Sequence, residues 1–69
     1  MVEVFKTDVT VADLANKLIF LLHQHWPEAR ISFDLEDCDK VLRIEAQDFD
    51  AAKVCSLLQT HGVRCEIMF

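Results

Sequence analysis

Two neighbouring segments of the sequence alternate apolar and polar side chains with a period of two. Residues 31–36 do so from first to last, and residues 41–46 repeat the pattern with their even-numbered residues apolar. Such alternation indicates β-strands with one buried face and one wet face, which is typical of antiparallel sheets. Only residues 37–40 separate the two segments, so we predict a hairpin.

A further strand is predicted at each end of the chain, over residues 2–7 and 63–69. The first is rich in β-branched and aromatic side chains, and the last alternates. In the first strand we expect Val2 and Val4 to face the core, which points Phe5 to the opposite face. A bulge at the adjacent Val4 and Phe5 would reverse this assignment.

The segment between the first two strands has the period of an amphipathic helix. Thr10 is the predicted N-cap, with Asp13 in the returning position of a capping box, and Pro27 ends the helix. Phe20 falls on the polar face. The predicted inward stripe comprises Val11, Leu14, Ala15, Leu18, Leu21 and Leu22.

A second helix is predicted after the hairpin. Either Asp48 or Asp50 can cap it, and with Asp50 as N-cap, Phe49 and Val54 have the spacing of a hydrophobic staple. Gly62 suits the left-handed position after the last turn. The predicted inward stripe comprises Ala51, Val54, Cys55 and Leu58.

The resulting order, β-α-β-β-α-β, predicts an α+β ferredoxin-like sandwich. Right-handed crossovers place both helices on one face of a four-stranded antiparallel sheet with strand order 4-1-3-2. A chain of 69 residues allows one domain, residues 1–69, with a modest core.

The overall charge excludes some classes of partner. A formal net charge of −5 opposes binding to nucleic acids and anionic membranes, both of which require basic patches. The N-terminus lacks the pattern of a signal peptide, so we expect a cytoplasmic protein.

Two segments resemble the heavy-metal-associated domain, the βαββαβ module of copper chaperones and metal-transporting ATPases. Residues 5–10 are similar to the lead-in to that family's MTCxxC loop, and residues 34–45 are similar to its hairpin. The resemblance implies a Cu(I) site formed by two loop cysteines. Here those positions hold Val11 and Leu14, which have no lone pair to donate, so we expect neither that metal site nor a cofactor.

Other residues are weaker candidates for metal binding. Cys38 and His61 are predicted at the same end of the sheet as the vacated loop, near Asp8, Asp37 and Asp39. His23 and His25 point in different directions on a regular helix. We interpret Cys55 and Cys65 as small inward hydrophobic residues.

We therefore expect no enzyme, since none of the common catalytic motifs is present. The leading hypothesis is a protein-interaction or regulatory module that binds an unknown protein partner or itself through Phe20 and Phe5. One alternative is a metal-handling protein that binds Cu(I) or Zn²⁺ through Cys38, across a dimer. Another is a small-molecule sensor of the same topology.

Overall fold

A computed structural model describes residues 1–68 of the chain. Four strands form one antiparallel sheet in the order β2-β3-β1-β4, which is the predicted order read from its other edge. The predicted α+β ferredoxin-like fold is therefore confirmed. The elements are β1 (Val2–Thr7), α1 (Ala12–His25), β2 (Arg30–Asp34), β3 (Val41–Glu45), α2 (Ala51–Thr60) and β4 (Cys65–Ile67).

The strands β2 and β4 are shorter than the alternation predicted. β2 ends at Asp34, whose carboxylate accepts the backbone N–H groups of Glu36 and Asp37 at 3.2 and 3.3 Å and so turns the chain. β4 begins only at Cys65, and Phe69, the predicted end of this strand, lies outside the described residues.

The core lies between the sheet and the two helices. The inward positions of β1 and β3 contribute large side chains, and each helix contributes the most buried part of its predicted stripe. The buried hydrophobic residues are Phe5, Val9, Ala15, Leu18, Leu22, Ala29, Leu42, Ile44, Phe49, Val54, Leu58, Val63 and Cys65.

The predicted facing of β1 is wrong. Phe5 is 0% exposed and Val2 is 45% exposed, so the odd-numbered residues face the helices. No bulge is involved, because the register with β3 runs without interruption from Val2↔Glu45 to Phe5↔Leu42. Burying one phenyl ring removes more apolar surface from water than burying a valine, which favours the observed facing.

Both ends of α2 follow the sequence signals. The carboxylate of Asp50 accepts hydrogen bonds from the backbone N–H groups of Ala52 at 3.0 Å and Lys53 at 3.4 Å. Gly62 has φ +76°, and Val63 N–H donates to the carbonyl of Leu58 at 3.0 Å. Of the two residues predicted as possible N-caps, Asp48 and Asp50, Asp50 is the one observed, and the left-handed glycine that follows the helix is confirmed.

The end of α1 is also confirmed. The helix stops at His25, two residues before Pro27, and Trp26 N–H donates to the carbonyl of Leu22 at 2.9 Å. Within residues 1–68, neither helix combines the length and the apolar character needed to cross a bilayer.

The orientation of β1 predicts a large loss of stability for one phenylalanine substitution and almost none for another. Phe5→Ala leaves a core cavity and should lower the free energy of unfolding by about 3–5 kcal/mol. Phe20→Ala removes a side chain that is 67% exposed and should change it by less than about 0.5 kcal/mol. Urea denaturation followed by circular dichroism measures both values.

Phe5→Leu removes less volume and keeps the comparison measurable if Phe5→Ala does not fold. Equal losses of stability from Phe5→Leu and Phe20→Ala would contradict the burial of Phe5.

Candidate functional site

Three chain connections meet at one end of the sheet, as the topology predicted: residues 8–11, residues 35–40 and residues 61–64. Thr7 joins the first two, since its backbone N–H donates to the carbonyl of Asp39 at 3.1 Å and its hydroxyl donates to the carbonyl of Lys40. The carboxylate of Asp8 accepts the backbone N–H of Arg64 at 3.0 Å and joins the third. We call these three connections the loop end.

In the first connection, residues 8–11, the N-terminus of α1 is not capped as predicted. Val11, not Thr10, is the N-cap, its backbone is extended (φ −112°, ψ 130°), and no side chain caps the helix. The Thr10 to Asp13 capping box is therefore wrong. Val9, which is 1% exposed, anchors the loop in the core, so the chain reaches helical geometry only at Ala12.

The two vacated ligand positions have different surroundings. Val11 is 56% exposed, and its prediction as a core residue is wrong because it precedes the first helical residue. Leu14 is partly buried against the core cluster, as its place in the helical stripe indicates. Both side chains are hydrocarbon, so the loop opening α1 presents no metal ligand at either position.

Cys38 lies in an exposed acidic turn. The metal-ligating atoms of Asp37, Cys38 and Asp39 are within 4.8 Å of one another. Both carboxylates already have other partners. That of Asp37 accepts the backbone N–H of Asp39 at 2.8 Å, and that of Asp39 lies 3.6 Å from the ammonium of Lys6.

His61 is not part of this cluster. It is the C-cap of α2, and its Nδ1 lies 3.0 Å from the carbonyl oxygen of Leu57. The structure therefore does not assemble Cys38 and His61 with the neighbouring carboxylates into the ligand group that the topology suggested.

The other two histidines, His23 and His25, lie at the opposite end of the sheet and have different neighbours. The Nε2 of His23 lies 2.9 Å from the carbonyl oxygen of Ala29, whereas the ring of His25 packs near Trp26 with centroids 5.7 Å apart. An open cavity of about 400 Å³ lies beside Trp26. The two imidazoles face different surroundings and do not form a common metal site.

The two predicted interaction residues differ in their exposure to solvent. Phe20 projects from the solvent-facing side of α1 and is 67% exposed, as predicted. Phe5 is fully buried, so it is removed as a surface contact. The observed orientation of β1 instead leaves Val2 exposed, which the sequence prediction missed because it assigned Val2 to the core. Met68, which follows β4, is also exposed.

The structure brings Cys55 and Cys65 together. Cys55 lies on α2, Cys65 begins β4, and their sulfur atoms are 3.1 Å apart. Burial is the main cause that raises the pKa of the Cys65 thiol, and the hydrogen bond and charge of Cys55 and the charge of Glu66 raise it further. The sequence indicated that each residue faces inward, but their separation depends on how α2 packs on β4.

Comparison of the chain with protein-family models, curated proteins and solved structures finds no match.

The bonds of Thr7 predict that its hydroxyl stabilises the loop end. Thr7→Val keeps the shape but leaves the buried backbone N–H of Val9 and the carbonyl of Lys40 without the hydroxyl, which should cost about 1–3 kcal/mol. Thr7→Ser retains the hydroxyl and should lose clearly less stability. Urea denaturation compares the three proteins, and equal losses from the two variants would contradict this role.

Proposed function

We propose that this domain is a non-catalytic interaction module that binds a protein, either another chain or a second copy of itself, through the outer side of α1. The observation that supports the proposal is the exposure of Phe20. A phenyl ring left 67% exposed keeps most of its apolar surface in water. Covering that surface in an interface is favourable, and aromatic side chains are frequent anchors of binding energy.

The neighbours of Phe20 have the composition of an interface rim. Asn16, Lys17 and Gln24 lie three or four residues away on the helix, and all three are exposed. Polar side chains around a central aromatic residue are the usual arrangement in transient interfaces. We define these four residues as the Phe20 patch.

The proposed origin of the module is the heavy-metal-associated fold. The element order and the similar segments at residues 5–10 and 34–45 support this relation. Val11 and Leu14 stand at the positions of that family's metal-binding cysteines, and neither can bind Cu(I). The proposed module has the fold of the metal carriers but does not bind metal through the loop that opens α1.

Phe20→Ser tests the proposal. The variant should fold with nearly unchanged stability, and its self-association or its capture of a protein partner should fall by tenfold or more, of the order seen for anchor residues. Sedimentation velocity measures self-association, and capture on immobilised domain followed by mass spectrometry measures partner binding.

The matched control is Val2→Ser, which removes an exposed apolar side chain from β1, away from α1. It should leave both readouts unchanged. The proposal fails if Phe20→Ser changes neither sedimentation nor the captured proteins, or if Val2→Ser has the same effect.

A second candidate function is metal handling through Cys38. The proximity of its sulfur to the carboxylates of Asp37 and Asp39 supports it. One thiolate per chain is a poor Cu(I) site, so this function requires a dimer in which two chains each supply Cys38.

Metal titration of the wild type and Cys38→Ser separates the two functions. The interaction module predicts equal binding of Cu(I) and of Zn²⁺ by both proteins. Cys55 and Cys65 are present in both, so any metal that they hold cancels in the comparison. Loss of one bound metal per two chains in Cys38→Ser would instead establish metal handling.

A further inference from the structure

The paired thiols of α2 and β4 have the placement of a disulfide site. The sulfur atoms of Cys55 and Cys65 are 3.1 Å apart, about 1 Å more than a covalent S–S bond of about 2.05 Å. Both belong to regular elements that pack on each other. Oxidation therefore requires only a small approach of two side chains that are already in contact.

The two thiols differ in their access to solvent. Cys65 is 5% exposed, whereas Cys55 is only partly buried. A small oxidant in solution therefore meets Cys55 first. Either sulfur can donate in the hydrogen bond that joins the two thiols. Burial raises the pKa of the Cys65 thiol and so disfavours its thiolate, which leaves the first attack to the more accessible Cys55.

We infer that Cys55 and Cys65 form a reversible intramolecular disulfide when the protein meets a low-molecular-weight disulfide such as oxidised glutathione. The thiolate of Cys55 attacks one sulfur of the oxidant, forms a mixed disulfide and releases one glutathione thiolate. Cys65 then loses its proton to solvent and attacks the sulfur of Cys55, which releases the second glutathione. The two cysteines are oxidised by two electrons in total, and the oxidant is reduced to two thiols.

The disulfide would fix the weakest edge of the sheet. Among residues 1–68, β4 comprises three residues and pairs with β1 alone, at the end of the strand order. A covalent bond to α2 restricts the opening of this edge in the folded protein. It also lowers the conformational entropy of the unfolded chain, because it closes the segment between the two cysteines into a loop. The oxidised domain should therefore be the more stable form. This inference is independent of the proposed interaction function.

The test uses the wild-type chain, equilibrated in its folded state with mixtures of oxidised and reduced glutathione, then alkylated and digested with trypsin. Cleavage after Arg30, Lys40, Lys53 and Arg64 puts each cysteine on a different peptide. The expected product joins the peptide of residues 54–64 to that of residues 65–69, while Cys38 is alkylated or glutathionylated. The intact chain should lose two hydrogen atoms, and dithiothreitol should restore them.

Thermal unfolding gives a second readout. The oxidised chain should melt higher than the reduced chain by on the order of 10 °C. Cys38→Ser is the matched control, because Cys38 is exposed and unpaired with either thiol; it should form the same linked peptide and show the same rise.

Three results would overturn the inference. The first is separate glutathione adducts on Cys55 and Cys65 with no linked peptide. The second is a disulfide that includes Cys38 in place of either residue. The third is a linked peptide that forms in urea but not in the folded protein.

Discussion

The direction in which β1 points its odd-numbered side chains is the constraint on which the rest of this structure depends. β1 lies between β3 and β4, so its pleat is shared with both neighbours. A shift of facing by one residue would move every side chain of the strand to the other side. The pair formed by Phe5 and Leu42, both fully buried, holds the observed facing.

The organisation of the loop end follows from that facing. Thr7, two residues after Phe5, also points inward, and its hydroxyl donates to the carbonyl of Lys40 and accepts the N–H of Val9. The backbone of Lys40 has a positive φ of 47°, which is unusual for a residue with a side chain, and the hydroxyl of Thr7 holds its carbonyl in place. The buried Val9 then determines where α1 begins.

The sequence predicted those parts of the fold that depend on local patterns. Short sequence patterns predict the order of the elements, through the period of the apolar residues in each segment. Patterns of the same kind predict the cap at Asp50, the glycine turn and the exposure of Phe20. The facing of β1 is different, because a strand of six residues with adjacent Val4 and Phe5 fits either assignment. Only the pairing with β3 and the larger area of the phenyl ring decide between them.

In the candidate sites too, some features follow from the local sequence and others from contacts between elements. Hydrocarbon side chains at positions 11 and 14 are read directly from the sequence, whereas the exposure of Val11 depends on an anchor at Val9. The inward direction of Cys55 and of Cys65 was predictable separately. Their contact was not, because the residues belong to a helix and a strand whose distance is set by packing. The rules for chain connections were therefore enough to predict the strand order, but not which side chains of different elements come into contact.

Phe5 belongs to the core, whereas Phe20 belongs to the solvent-exposed surface. Hydroxyl-radical footprinting of the folded chain, with mass spectrometry of the digested protein, measures the solvent access of both rings in one experiment. We expect strong modification of Phe20 and protection of Phe5, which is lost in urea. Comparable modification of the two rings in the folded protein would contradict the account.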